Sequence, residues 1–96
     1  MNTITLEELN NLLQLHKELW DDLPTGKRLE LDNYDLSNID FRGKELRSCR
    51  MTNCNLQNCN FESCDISHSE FMYSDLRNCN LLNIITEGTD FTGCIQ

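Results

Sequence analysis

Residues 54–81, CNLQNCNFESCDISHSEFMYSDLRNCNL, decide the fold. The large apolar residues Leu56, Phe61, Ile66, Phe71, Leu76 and Leu81 stand one every five positions. Two residues before each lies a small side chain: Cys54, Cys59, Cys64, Ser69, Ser74 and Cys79. Between them runs a polar column that includes Asn55, Asn60, Asp65, Asp75 and Asn80. A five-residue period matches neither the 3.6-residue turn of a helix nor the two-residue alternation of a strand. It matches a chain that turns a corner every five residues. One large and one small side chain then point inward from each side, and the other three positions face solvent or shape the corner.

The register extends back through Met51, Leu46, Phe41 and Leu36 to Leu31, and forward to Phe91, interrupted at Thr86 and Gln96. Four sides make a coil of about 20 residues, with backbone hydrogen bonds setting coils roughly 4.8 Å apart. The expected interior is Leu36, Phe41, Leu46, Met51, Leu56, Phe61, Ile66, Phe71, Leu76, Leu81 and Phe91, with Cys49, Cys54, Cys59, Cys64 and Cys79 in the small column. The outward columns include Asp35, Asn55 and Asp75, and beside them Asn38, Asn58 and Asn78.

The units CNLQN, CNFES, CDISH, SDLRN and CNLLN resemble the pentapeptide-repeat family, whose units read A-[DN]-L-x-x. The resemblance covers residues 29–96 and implies an all-β, right-handed quadrilateral β-solenoid of about three and a third coils. Cys stands where the family usually has Ala. The expectation is that this keeps a small apolar group inside and changes little about the coil.

The six Cys lie at multiples of five residues from one another, from Cys49 to Cys94. No C-x-x-C metal motif or common disulfide framework has that spacing. They read as buried structural thiols; a Cys59–Cys79 disulfide between stacked coils and a thiol redox or metal role are the lesser alternatives. The two histidines, His16 and His68, fall in different parts of the chain, so neither a metal nor a cofactor is expected.

Residues 1–28 form a separate N-terminal helix and linker. Thr5 followed by Glu8 is a capping box, and Ile4 with Leu9 a hydrophobic staple. Leu6, Leu9, Leu12, Leu13, His16, Leu19, Trp20 and Leu23 recur at three- and four-residue spacing, predicting one amphipathic helix from residue 5 to about 22, stopped by Pro24, Thr25 and Gly26. An open solenoid end needs covering. Leu9, Leu13, His16 and Trp20 are expected to cap the first coil, Trp20 lying over it.

No comparable helix follows the last coil, whose Leu82, Ile85 and Ile95 occupy positions that are polar elsewhere. That apolar rim predicts a symmetric homodimer through the C-terminal end.

Sixteen acidic against 8 basic residues leave a net charge of −8, which disfavours direct binding to nucleic acid or anionic membrane. No apolar run is long enough to span a bilayer, and the N-terminus lacks the order of a signal peptide, so a cytoplasmic location is expected. A filled prism offers no pocket for catalysis. Asp65, Ser67, His68 and Ser69, adjacent on what is expected to be an outward edge, do not read as a catalytic group. Glu30, Asp35, Glu70, Asp75 and Asp90 are expected to form outward carboxylate rows about 5 Å apart, an acidic partner-binding face with the charge scale of a nucleic-acid backbone. Arg42, Lys44, Arg47 and Arg50 add a basic stretch on adjoining sides, expected to pair with Glu45 and Glu62.

Some proteins of the family bind DNA gyrase in place of DNA, and a short His- and Trp-bearing helix leading into pentapeptide units is similar to small phage and prophage proteins. The resemblance therefore implies a non-catalytic inhibitor of a host nucleic-acid-binding machine, gyrase or a CRISPR effector or defence nuclease. The alternative is a scaffolding module with no inhibitory activity.

Overall fold

A computed structural model describes all of residues 1–96. Helix α1 spans Leu6–Trp20, with Thr5 as its N-cap. The Thr5 hydroxyl accepts from the Glu8 amide at 3.1 Å and donates to the Glu8 carboxylate at 2.9 Å. Glu7 and Glu8 in the first turn and Lys17 in the last suit the helix dipole. The helix ends before residue 22 because Asp22 adopts a left-handed φ of 57°. Its amide donates to the Leu19 carbonyl, and the Leu23 amide to the Glu18 carbonyl. This closure usually uses glycine, which is why Pro24 and Gly26 draw attention away from it.

The expected apolar stripe is narrower than predicted. Leu9, Leu13 and His16 are buried, whereas Leu6, Leu19 and Leu23 are exposed. Leu9 and Leu13 join the same core cluster as Leu29, Leu31 and Leu46, so α1 packs on the first coil. Trp20 does not lie over that coil's interior. It is 41% exposed, its indole N–H donates to the Arg47 carbonyl at 3.0 Å, and the Arg47 guanidinium stacks 4.0 Å from its ring centre.

Strands β1 (Glu30–Asp32) and β2 (Arg50–Thr52) pair in parallel, Leu31 opposite Met51. On the other sides a single residue per side bridges to the next coil: Asp35 to Asn55 to Asp75 to Ile95, Asp40 to Asn60 to Asn80, and Asp65 to Ile85. Each of these pairs is 20 residues apart. Five residues per side and four sides per coil give a β-solenoid, in which strands stay short because the chain turns before a longer ladder can form.

The corners are made at Asn33, Asn38, Gly43, Ser48, Asn53, Asn58, Ser63, His68, Tyr73, Asn78, Asn83, Gly88 and Gly93, all at positive φ. Asn and Gly tolerate that conformation at low cost. Asn38, Asn58 and Asn78 are thus corner residues first and a surface column second. Two corner glycines have an added reason: a Cβ at Gly88 would lie 2.5 Å from the His68 ring, and one at Gly93 would lie 2.3 Å from the Tyr73 ring.

The interior is one continuous cluster from Leu9 to Leu76. Phe41 stacks on Phe61 with centroids 4.9 Å apart, and Phe61 meets Phe71 edge-on at 6.1 Å. Burial fades in the last coil, where Leu81 is 37% exposed and Cys79 and Phe91 are half-buried. These three belong to the inward columns but have no further coil above them.

The small column does more than save space. The Cys59 thiol donates to the Leu36 carbonyl at 3.0 Å, Ser69 to Leu46 at 2.8 Å, Ser74 to Met51 at 2.7 Å, Cys79 to Leu56 at 2.9 Å and Thr89 to Ile66 at 2.7 Å. Each donor reaches a carbonyl 23 residues earlier, in the coil below. The expectation that Cys serves only as a small apolar group is therefore corrected: an alanine would leave these carbonyls without that donor. The first coil has no coil below it, and there the column is filled by Leu29, Tyr34 and Ile39 instead. All six thiols are free, and burial pushes those of Cys49 and Cys59 up to about 12. Ser69 is buried within this column, as the five-residue register places it, and so does not share an outward edge with His68.

Candidate functional site

The outward polar column is occupied in building turns. The side-chain oxygens of Asp35, Asp40, Asn55, Asn60, Asp65, Asp75 and Asp90 each accept from the backbone amide two residues on, at 2.9–3.1 Å. The Ser37 hydroxyl and amide hold the Asp35 carboxyl below its usual range, and Thr92 does the same for Asp90. The Arg77 guanidinium holds down Asp75, and Arg42 lowers Asp40 to about 2.

The predicted carboxylate rows are interrupted. Along one side the stacked residues are Glu30, Arg50, Glu70 and Asp90, so an arginine separates the first two acids. Arg50 lies 3.5 Å from Glu70, and Arg28 contacts both Glu30 at 3.6 Å and Glu70 at 3.5 Å. Along the next side Asn55 separates Asp35 from Asp75, and Ile95 follows. Glu70 and Asp90 are the only adjacent acids among the five expected partner-binding residues. The basic stretch pairs locally: Arg47 with Glu45, and Arg42 with Asp40 and, at 4.0 Å, Glu62. The surface is two-signed on every side.

The largest depression, 480 Å³, lies between α1 and the coils and is lined by Lys17, Trp20, Asp21, Lys44, Glu45 and Arg47 among others. Four of its charged groups pair with one another, Lys17 with Asp21 and Arg47 with Glu45. Asp65 accepts from both the amide and the hydroxyl of Ser67, leaving no serine–histidine–carboxylate relay. No three His, Cys, Asp or Glu side chains lie together in a metal-binding arrangement. No helix is long and apolar enough to cross a membrane.

The last coil presents a different surface. Leu82 is 59% exposed, Ile85 50% and Ile95 51%, each on a different side of the coil. Together with Leu81 they ring the end of the solenoid. In the coils below, the amides of Phe61, Ile66 and Phe71 donate to Asn80, Ile85 and Asp90. The matching amides of Leu81, Thr86 and Phe91 make no such bond. Apolar side chains and unpaired ladder amides thus lie together at this end of the solenoid. Sequence reasoning identified the three apolar residues and the open end beside them; the structure adds which ladder amides are left unpaired there.

A family model described as pentapeptide repeats matches residues 30–67 and 45–83, in 8 copies. No curated protein matches the chain.

Proposed function

The chain belongs to the pentapeptide-repeat family, and on that premise we propose that it is a non-catalytic protein-binding module that docks through the exposed end of its last coil. Repeat proteins of this family are generally interaction modules. The observation that carries the reading is the ring of Leu81, Leu82, Ile85 and Ile95 around unpaired ladder amides. A second copy is the proposed occupant, giving a homodimer in which the same apolar ring meets itself about a two-fold axis. In each copy α1 caps the opposite end of the solenoid. The coils are taken as right-handed, the hand that parallel crossovers of L-residues adopt.

Sedimentation velocity at micromolar concentration tests this. The proposal expects the native chain to sediment as a dimer and the Leu82→Glu, Ile85→Glu double variant as a folded monomer. A native monomer under those conditions would remove the dimer.

A second reading, inhibition of a host nucleic-acid-binding enzyme by acidic mimicry, draws on the net charge of −8 and on the adjacent Glu70 and Asp90. The interleaved arginines weigh against it. Capture of such an enzyme by the tagged chain, competed away by duplex DNA and lost on Glu70→Gln with Asp90→Asn, would favour this reading over plain scaffolding.

A further inference from the structure

His16 is fully buried at the joint between α1 and the first coil, and both ring nitrogens are committed. Nδ1 accepts from the Leu29 amide at 2.9 Å, so it carries no proton. Nε2 lies 2.8 Å from the Arg47 carbonyl and donates to it. Both partners belong to the chain entering and completing the first coil. In later coils the amide of a corner residue donates to the corresponding carbonyl, as Ser48 does to Ser67 and Asn58 to Arg77. At Arg47 the His16 and Trp20 rings take that place.

We propose that His16 is an acid-released latch: a proton on Nδ1 sets two donors against each other at Leu29, and the helix lets go of the first coil while the solenoid stays folded. The one carboxylate facing the ring, Glu45, is engaged by the amide and guanidinium of Arg47. The facing charges are Glu45 and Arg47 from the coil and Arg28 from the linker; Glu45 favours the proton, and the two arginines oppose it. On α1 itself, Lys17 is paired with Asp21, and Glu18 accepts from Thr25. Burial outweighs Glu45 and lowers the His16 pKa from 6.5. Release of His16 also loosens Trp20, which shares the Arg47 carbonyl.

The single tryptophan makes the event visible. The experiment follows the His16 ring protons by NMR and Trp20 fluorescence in parallel between pH 8 and pH 5, with amide exchange in α1 corrected for its intrinsic pH dependence. The latch predicts that both probes share a midpoint below 6.5. It also predicts that α1 opening rises up to tenfold per pH unit below 6.5 while amides of the middle coils stay protected. His16→Gln, which can accept and donate but not titrate, is expected to hold Trp20 constant across this range. His68→Asn, at an exposed corner, is expected to change nothing. Protonation of His16 with Trp20 and α1 unmoved would overturn the proposal, as would the same transition in His16→Gln. If that variant does not fold, the paired wild-type titrations decide the matter alone.

Discussion

The Ser74 hydroxyl donates to the Met51 carbonyl at 2.7 Å and accepts from the Cys54 amide at 3.0 Å, tying three positions of the small-residue column and its neighbour across adjacent coils. Both contacts are buried. Ser74→Ala removes one donor and one acceptor and is expected to destabilise by about 1–3 kcal/mol. Ser74→Cys keeps a weaker donor and should cost less. Urea denaturation of the two variants checks the order, and an alanine variant as stable as the native chain would refute the hydrogen-bonding role.

Leu56 is fully buried in the middle of the solenoid. Leu56→Asp places an uncompensated charge there, at a cost of several kcal/mol, and is expected to abolish cooperative folding. At the next position, Gln57→Lys changes an outward side chain and is expected to stay within about 0.5 kcal/mol. Circular dichroism and urea melts separate them; equal stability would mean the register is wrong.

Gly43 and Gly93 share a positive φ, 75° and 71°, but differ in what a Cβ would meet. Nothing lies within 4 Å at Gly43, whereas the Tyr73 ring lies 2.3 Å away at Gly93. Gly43→Ala should therefore cost only the left-handed backbone penalty of roughly 1–2 kcal/mol. Gly93→Ala should cost more and displace Tyr73. Tyr73→Ala in the Gly93→Ala background is expected to recover the difference, read from denaturation midpoints.

Acid should act on the corners in a window separate from that of His16. The Arg42 side chain and then its amide lower the folded pKa of Asp40 to about 2, the Arg77 side chain lowers that of Asp75 below 3.8, and the Thr92 side chain and amide do the same for Asp90. For a depressed carboxylate the unfolded chain binds more protons, so the stabilisation is present above 3.8 and is lost as pH falls toward 2. Urea midpoints of the His16→Gln variant should be flat from pH 7 to 5 and fall below pH 4. Asp40→Asn is expected to flatten part of that fall.

Much of this was legible because a five-residue period constrains so many positions at once. Phe41, Phe61 and Phe71 go inside as their spacing requires, and the capping interaction of Thr5 with Glu8 follows from their separation. What escaped had competing local signals. Asp22 ends α1 in a conformation that glycine usually adopts, so Pro24 and Gly26 looked like the stop. Cys59 and Cys79 read as space-fillers because a thiol is both small and apolar, and their donor role emerges only when the carbonyl 23 residues back is placed beneath them. The acidic face was overread: Arg50 stands in the same stacked column as Glu30 and Glu70, a position the 20-residue register already assigned to it. Trp20 looked like a lid because its spacing matches the apolar stripe, yet its indole N–H and the Arg47 guanidinium hold it at the rim.

Concentration-dependent amide exchange of the last coil tests the central claim most directly. The Leu81, Thr86 and Phe91 amides have no partner within the chain. If this end is the docking surface for a second copy, their exchange slows as protein concentration rises, while Phe61 and Phe71 in the coils below stay unchanged. Exchange of the last-coil amides that is fast and identical at all concentrations would contradict it.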